Sequence, residues 1–176
     1  MRYFKIFLLI ILFVFISGCA RTVTSPLKKV VEVSFTLDSD FKLEEKHYLV
    51  VAFNKEIQPT TDLSTWKNFI LFNVDDKGFY RGKNGNLNNL SSPYFECTVD
   101  SDLKNFNFKI PLSQLYEDGV EPEKLHINIF YFYYEGENII FDKYLLNDIV
   151  MTIERGFNRD YLGQTGFISS INLKFY

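Results

Sequence analysis

Alanine, histidine and cysteine are scarce in this 176-residue chain. Its two alanines, Ala20 and Ala52, stand beside 19 phenylalanines and 11 tyrosines. Alanine is the best helix former, whereas aromatic and β-branched residues suit the pleated surface of a strand. The composition therefore argues against a helical bundle and favours a β-rich protein.

The sequence also offers little material for a catalytic or metal centre. Its two histidines, His47 and His126, fall in separate predicted strands with no cysteine or carboxylate at the spacing of zinc ligands. A G-x-S-x-G elbow for a serine triad is missing. The paired aspartates lack the twelve-residue calcium loop with its closing glutamate, so we expect them to be turn residues. We therefore predict no metal, no cofactor and no enzymatic activity.

Positive charge is not in excess either. The formal net charge is −3, and no basic cluster stands out along the sequence. Nucleic-acid-binding proteins usually present a basic patch that neutralises phosphates. We therefore expect no nucleic-acid partner.

A long hydrophobic run is missing as well. Residues 6–16 are apolar throughout, but a helix of that length spans only about 16 Å. The hydrocarbon core of a bilayer is about 30 Å thick, so the run is short for a membrane span. Arg2 and Lys5 precede it, and the small residues Ser17 and Gly18 follow it. This order is typical of a secretory signal peptide.

The sequence "ISGC" at residues 16–19 resembles the lipobox of bacterial lipoprotein precursors. The resemblance implies cleavage between Gly18 and Cys19, a diacylglyceryl group on the Cys19 thiol and acylation of the new amine. It also implies a membrane anchor through that lipid. In Gram-negative lipoproteins, an aspartate directly after the lipidated cysteine retains the protein on the inner membrane. Residue 20 is alanine here, so the resemblance implies the outer membrane. An uncleaved anchor and an ordinary signal peptide remain the alternatives.

We accordingly divide the chain into three parts. Residues 1–18 are the predicted signal peptide, 19–29 a lipidated tether and 30–176 a single domain. With Cys19 lipidated, Cys97 would have no disulfide partner in the chain. Cys97 alternates with Phe95 and Val99, which indicates a small buried apolar residue, with a reactive thiol as the alternative.

Period-two alternation predicts about nine short strands, separated by turn signals. Residues 31–37 alternate clearly, 47–53 are apolar on both faces as expected of an inner strand, 68–74 form a further predicted strand, and 125–134 give the strongest strand signal. The expected fold is an all-β, antiparallel two-sheet sandwich, with a small closed β-barrel as the alternative. The order of features, including "FNFKIPLSQL", distantly resembles immunoglobulin-like and jelly-roll sandwich modules.

The strand "LHINIFYFYY" at 125–134 carries aromatic residues on both faces. One face has Leu125, Ile127, Ile129, Tyr131 and Tyr133; the other has His126, Asn128, Phe130, Phe132 and Tyr134. Only one face of a sandwich strand meets the main core, so the second is either an exposed aromatic platform or is covered by the Trp66 loop or the 111–119 segment. The candidate ligand-binding residues are Trp66, Phe130, Phe132 and Tyr134, with a core role as the alternative for Trp66.

The sequence thus predicts a lipid-anchored protein of the bacterial cell envelope whose β-sandwich binds a partner without catalysis. The expected partner is an envelope protein, a glycan or another ligand. The alternative is a structural accessory lipoprotein that belongs to an envelope complex.

Overall fold

The computed structural model describes residues 29–116, 121–165 and 167–176, apart from the side chains of 163–165. These residues form eleven β-strands and two short 3-10 turns. The strands are β1 (Val30–Leu37), β2 (His47–Asn54), β3 (Asn68–Asn73), β4 (Gly78–Lys83), β5 (Glu96–Val99), β6 (Asn105–Pro111), β7 (Lys124–Glu135), β8 (Asn138–Tyr144), β9 (Ile149–Thr152), β10 (Asn158–Thr165) and β11 (Ile168–Phe175). The 3-10 turns are Leu63–Thr65 and Leu112–Gln114.

The first sheet has five antiparallel strands in the order β10-β11-β1-β6-β5. The alternation in β1 buries Val33 and Phe35, while Ser34 between them points outward and is partly exposed. Phe35 pairs with Ile171 of β11 on one side and with Phe106 of β6 on the other. The buried apolar residues of these three strands therefore share one face.

The second sheet has the order β4-β3-β2-β7-β8, and β9 pairs with the beginning of β7 beside β8. Its strands are antiparallel too. The two sheets pack face to face and remain separate, which confirms the all-β sandwich over the closed-barrel alternative.

The main core lies between the sheets and consists largely of large apolar side chains. The ring of Phe72 in the second sheet meets Phe106 in the first at 5.2 Å in an edge-to-face contact. Phe79 and Phe108 make a similar contact at 5.7 Å. Such pairs add specific geometry to the burial of apolar area, so they fix how the two sheets face each other.

A second core covers the outer face of the second sheet. It contains Val50, Ala52, Trp66, Phe69, Leu71, Phe130 and Phe132. The second sheet is therefore buried on both faces around β2 and β7. This agrees with the sequence of β2, which is apolar at successive positions instead of alternating.

The structure has more strands than the nine predicted, and β10 accounts for much of the difference. Its sequence "NRDYLGQT" is mainly polar, so it gives no alternation signal. Backbone pairing with β11 nevertheless holds it in the sheet, with Tyr161 opposite Ile171. Turns at 74–77 and 136–137 connect β3 to β4 and β7 to β8.

Some predicted features lie outside the described residues. These are the signal peptide, the tether up to residue 28 and the end of the 111–119 segment. The described beginning of that segment contains the 3-10 turn Leu112–Gln114.

Candidate functional site

Three of the four aromatic candidates lie inside the second core. Trp66, Phe130 and Phe132 are each 0% exposed. Of the two alternatives for this face of β7, the structure shows the covered one, so these three candidate ligand contacts are core residues and have no surface to offer a ligand. Tyr134, at 41% exposed, is the one member of the set at the surface.

The segment between β2 and β3 supplies most of the cover. The indole Nε1 of Trp66 donates to the carbonyl oxygen of Thr60 at 2.6 Å. From β7 underneath this segment, Nδ2 of the buried Asn128 donates to the carbonyl oxygen of Pro59 at 2.8 Å. Leu87 and Leu90, from the loop after β4, pack against the same cluster. The cover is thus hydrogen-bonded to the sheet it shields.

Tyr134 stands at the edge of this covered face. Its ring meets Tyr48 at 5.5 Å and Phe132 at 5.9 Å, both in edge-to-face geometry. Burial raises the pKa of Tyr134 above its usual range. The ring is therefore held by neighbouring aromatic residues and presents one side to solvent.

A cleft lies elsewhere, where the ends of β2, β3 and β4 meet residues 115–116. We call it the basic cleft, and define it by Lys55, Lys67, Lys83, Asn54, Asn68 and Asn84. These residues come from the end of β2, the start of β3 and the end of β4. Antiparallel order brings those three positions together, with Phe53 opposite Asn68 and Asn68 opposite Lys83.

The floor of the basic cleft is apolar and its walls are polar. Phe53, Leu115 and Leu125 lie at its base. Its volume of about 180 Å³ is smaller than the roughly 300–1,000 Å³ of pockets that hold a whole drug-sized ligand. The cleft therefore suits one small group, such as a headgroup or a single sugar.

Buried asparagines fix the walls. Nδ2 of Asn54 donates to the carbonyl oxygen of Thr65 at 2.7 Å, and its Oδ1 accepts from the backbone N–H of Glu56 at 2.9 Å. Nδ2 of Asn68 donates to the carbonyl oxygen of Leu115 at 2.8 Å. Satisfied polar groups of this kind hold a local backbone in one arrangement.

The rim beyond β4 is fixed by main-chain hydrogen bonds. The backbone N–H of Asn84 donates to the carbonyl oxygen of Lys67 at 3.1 Å, and that of Gly85 donates to Trp66 at 2.9 Å. Asn84 and Gly85 have φ of 51° and 65°, the left-handed region that asparagine and glycine tolerate best. The chain turns sharply here and places Lys83 beside the segment that carries Lys67.

Sequence reasoning missed the basic cleft. The sequence does contain one signal for it: a lysine stands next to an asparagine three times, as "NK" at 54–55, "KN" at 67–68 and "KN" at 83–84. All three pairs stand at strand ends. Knowledge of the strand order was needed to see that they converge.

The remaining chemistry-bearing residues are dispersed. Nδ1 of His126 lies 2.8 Å from a carboxylate oxygen of Asp148, while His47 stacks on Tyr131 with ring centroids 4.7 Å apart. Cys97 packs against the main core, and burial first, then the charge of Glu96, raises its thiol pKa to about 12. In the ranges the structure describes, no three His, Cys, Asp or Glu side chains group as metal ligands.

The predicted anchor residues, Gly18 and Cys19, lie outside the described residues. The described chain begins at Lys29, whose carbonyl oxygen accepts from the backbone N–H of Leu112 at 2.8 Å. No helix in the described ranges is long and apolar enough to cross a bilayer.

Comparison with known proteins adds no relatives. No family model, no curated protein and no solved structure matches the chain at a significant level.

Proposed function

We propose that the chain is a lipid-anchored lipoprotein of the bacterial cell envelope, in the outer membrane, whose β-sandwich binds a ligand without catalysis. One observation carries the proposal: the sequence "ISGC" at 16–19 closes a short apolar run that begins after two basic residues. Lipid chains on Cys19 would each bury many methylenes, and two or more chains give stable anchoring.

The start of the fold is consistent with this arrangement. The first strand begins at Val30, so about ten residues separate it from Cys19. A flexible segment of that length has an r.m.s. reach of roughly 16–19 Å. The sandwich would stay close to the membrane surface, with the end that carries Lys29 nearest to it.

A binding role is supported by what the basic cleft contains. Its described lining has the exposed Lys67, asparagines pinned by backbone hydrogen bonds, and an apolar floor. Such groups orient and hold a ligand. The proposed ligand site is therefore the basic cleft, and not the aromatic cluster that the sequence suggested.

The anchor can be tested by metabolic labelling with palmitate in the native bacterium. We expect the wild-type protein to take up label, Cys19→Ala to take up none, and Cys97→Ala to label like the wild type. Mass spectrometry should find a mature chain that begins at an acylated Cys19. Undiminished labelling of Cys19→Ala, or a retained leader, would refute the anchor.

An accessory role in an envelope complex is the second candidate, and exposed apolar residues near β8 favour it. Tyr144 and Leu146 are 40% and 75% exposed, and β8 is an edge strand of its sheet in the described chain. Chemical crosslinking in intact cells, followed by a pull-down from detergent-solubilised envelope, distinguishes the two roles. A stable partner that is lost in Tyr144→Ser/Leu146→Ser would favour the accessory role.

A further inference from the structure

We propose that the outer face of the first sheet binds a neutral oligosaccharide. This site goes beyond the proposed function, because it depends neither on the basic cleft nor on the lipid anchor. The outer face of the second sheet is covered by the second core, whereas the outer face of the first sheet carries short polar side chains that are at least partly exposed.

Two rows of short uncharged side chains cross the first sheet. Cross-strand partners point to the same face of a sheet, and Ser34 points away from the main core, so the partners of Ser34 lie on the outer face with it. The first row has one residue from each of four neighbouring strands: Thr98, Asn107, Ser34 and Asn172. The second row, two residues along three of these strands, consists of Asn105, Thr36 and Ser170. We call the surface that these two rows form the polar trough.

The polar trough has a size and a charge that suit an oligosaccharide. Its volume of about 500 Å³ falls within the roughly 300–1,000 Å³ of ligand-binding pockets. With strands about 4.8 Å apart, the four residues of the first row span roughly 14 Å, which accommodates several linked sugar rings. Asp100 is the one charged residue in the described lining. An uncharged ligand is therefore favoured over an ion.

The side chains of the trough match the hydroxyl groups of a sugar. Amides and hydroxyls both contain donors and acceptors, as sugar hydroxyls do. In the described chain, the hydroxyls of Thr98 and Ser170 make no hydrogen bond to another protein group. Oδ1 of Asn107 is buried and also lacks a partner there. Because a buried polar atom without a partner is costly, a hydroxyl that reaches this atom would stabilise the complex.

A chain of hydrogen bonds fixes the trough before any ligand arrives. The hydroxyl of Tyr176 donates to Oε2 of Glu32 at 2.6 Å. Nδ2 of Asn107 donates to Oε1 of Glu32 at 2.8 Å and to Oγ of Ser34 at 2.7 Å. Glu32 is 8% exposed and thus forms a buried link between the aromatic ring and the first row. A preformed site loses less conformational entropy on binding.

Tyr176 adds an aromatic surface to the same face. Its hydroxyl is held by Glu32, yet the residue is 54% exposed, so much of the ring is open to solvent. An aromatic ring offers a rigid apolar surface on which the C–H face of a sugar packs. The trough and the ring together provide hydrogen bonds and an apolar contact, which is the combination that recognises a carbohydrate.

Other polymers fit this face less well. An extended peptide binds through its backbone to a sheet edge, and not across the side chains of a sheet face. A nucleic acid requires a basic surface, whereas Lys109 and Lys174 each stand opposite the carboxylate of Glu32. The observations therefore favour a neutral carbohydrate.

Calorimetric titration of the purified full-length chain, in a detergent without a sugar headgroup, tests the site. The probes are maltotetraose, cellotetraose, chitotetraose and mannotetraose, with glucose as the single-ring comparison. We expect saturable binding of at least one tetrasaccharide, and binding of glucose that is weaker by about tenfold or more. Added salt should leave the affinity unchanged, because no ion pair with the ligand is involved.

A pair of triple variants locates the site. Ser34→Ala/Thr98→Val/Ser170→Ala removes three hydroxyls from the trough and should weaken binding by about tenfold or more. The matched control removes one threonine and two serine hydroxyls from exposed positions outside the trough, and should bind as the wild type does: Thr61→Val/Ser92→Ala/Ser113→Ala.

A further control, Lys67→Ala, lies in the basic cleft and should also bind as the wild type does. The proposal is overturned if no tetrasaccharide binds saturably, if both triple variants lose the same affinity, or if Lys67→Ala loses binding that the trough variant keeps. If the trough triple variant fails to fold, Thr98→Val is compared with Thr61→Val instead, because both side chains are exposed. The titration does not require lipidation, so its failure leaves the anchor standing.

Discussion

The indole nitrogen of Trp66 hydrogen-bonds to the carbonyl oxygen of Thr60, six residues earlier in the same loop. This bond closes the loop on itself, while the Trp66 ring lies 4.7 Å from Phe130 of the underlying sheet. The loop is therefore folded around its own tryptophan. The second core exists because that ring fills the space over β7.

We expect Trp66→Ala to destabilise the protein by about 3–5 kcal/mol, because it removes a fully buried indole and leaves a cavity. Urea denaturation followed by circular dichroism would measure the loss. Tyr94→Ala is the control: Tyr94 is 84% exposed, and its removal should change the free energy of unfolding by less than about 0.5 kcal/mol. Equal effects of the two substitutions would contradict a core role for Trp66.

Gly82 is required by the close approach of Phe69. A Cβ at Gly82 would lie 2.1 Å from Cζ of the Phe69 ring, which belongs to the cross-strand partner residue. We expect Gly82→Ala to destabilise the fold by about 1–3 kcal/mol through overpacking. Thermal denaturation would measure this effect.

The double variant Gly82→Ala/Phe69→Leu provides the control for that clash. Phe69→Leu removes the ring edge that meets the new methyl group, so the cost of Gly82→Ala should be smaller in that background. An unchanged cost in both backgrounds would show that the ring is not the obstacle.

The faces of the strands were predictable from the sequence, since period-two alternation assigns Ile129 to one side and Phe130 to the other. Whether Phe130 was exposed was not predictable. Its burial depends on a loop that starts more than sixty residues earlier in the chain and folds back over β7. Alternation reports which residues share a face, but contains no information on what lies above it.

The basic cleft was hidden for a related reason. Lys55, Lys67 and Lys83 are ordinary polar residues at strand ends, and each is unremarkable by itself. They converge because β2, β3 and β4 are consecutive antiparallel neighbours. The polar strand β10 could not be predicted for a different reason. Its own sequence lacks a strand pattern, and only its pairing with β11 holds it in the sheet.

Cys97 should resist alkylation in the native protein. Burial and the charge of Glu96 raise its thiol pKa from 9.0 to about 12, so the reactive thiolate is about a thousandfold rarer at neutral pH than in the unfolded chain. Iodoacetamide treatment, followed by mass spectrometry of the peptide that contains Cys97, would measure this protection. We expect slow labelling in buffer and rapid labelling in urea. Equally rapid labelling in both would contradict the burial of the thiol.

Glu32 should make the protein sensitive to acid. Burial opposes its ionisation, but the hydroxyl of Tyr176 donates to it at 2.6 Å and Nδ2 of Asn107 at 2.8 Å. These bonds, with the charges of Lys174 and Lys109, outweigh burial and lower the pKa of Glu32 below its usual 4.5. A carboxyl group whose pKa falls on folding stabilises the protein above its unfolded-state pKa, and the stabilisation is lost as the pH falls through the lower, native pKa.

The free energy of unfolding, measured by urea denaturation between pH 7 and pH 3, should therefore decline below about pH 4.5 in the wild type. Glu32→Gln should flatten that decline, because the variant has no carboxyl group to protonate at this position. Tyr176→Phe should reduce it in part by removing one donor, whereas Tyr94→Phe removes an exposed hydroxyl and should leave it unchanged. A decline of the same size in Glu32→Gln and the wild type would show that other carboxyl groups cause the acid sensitivity.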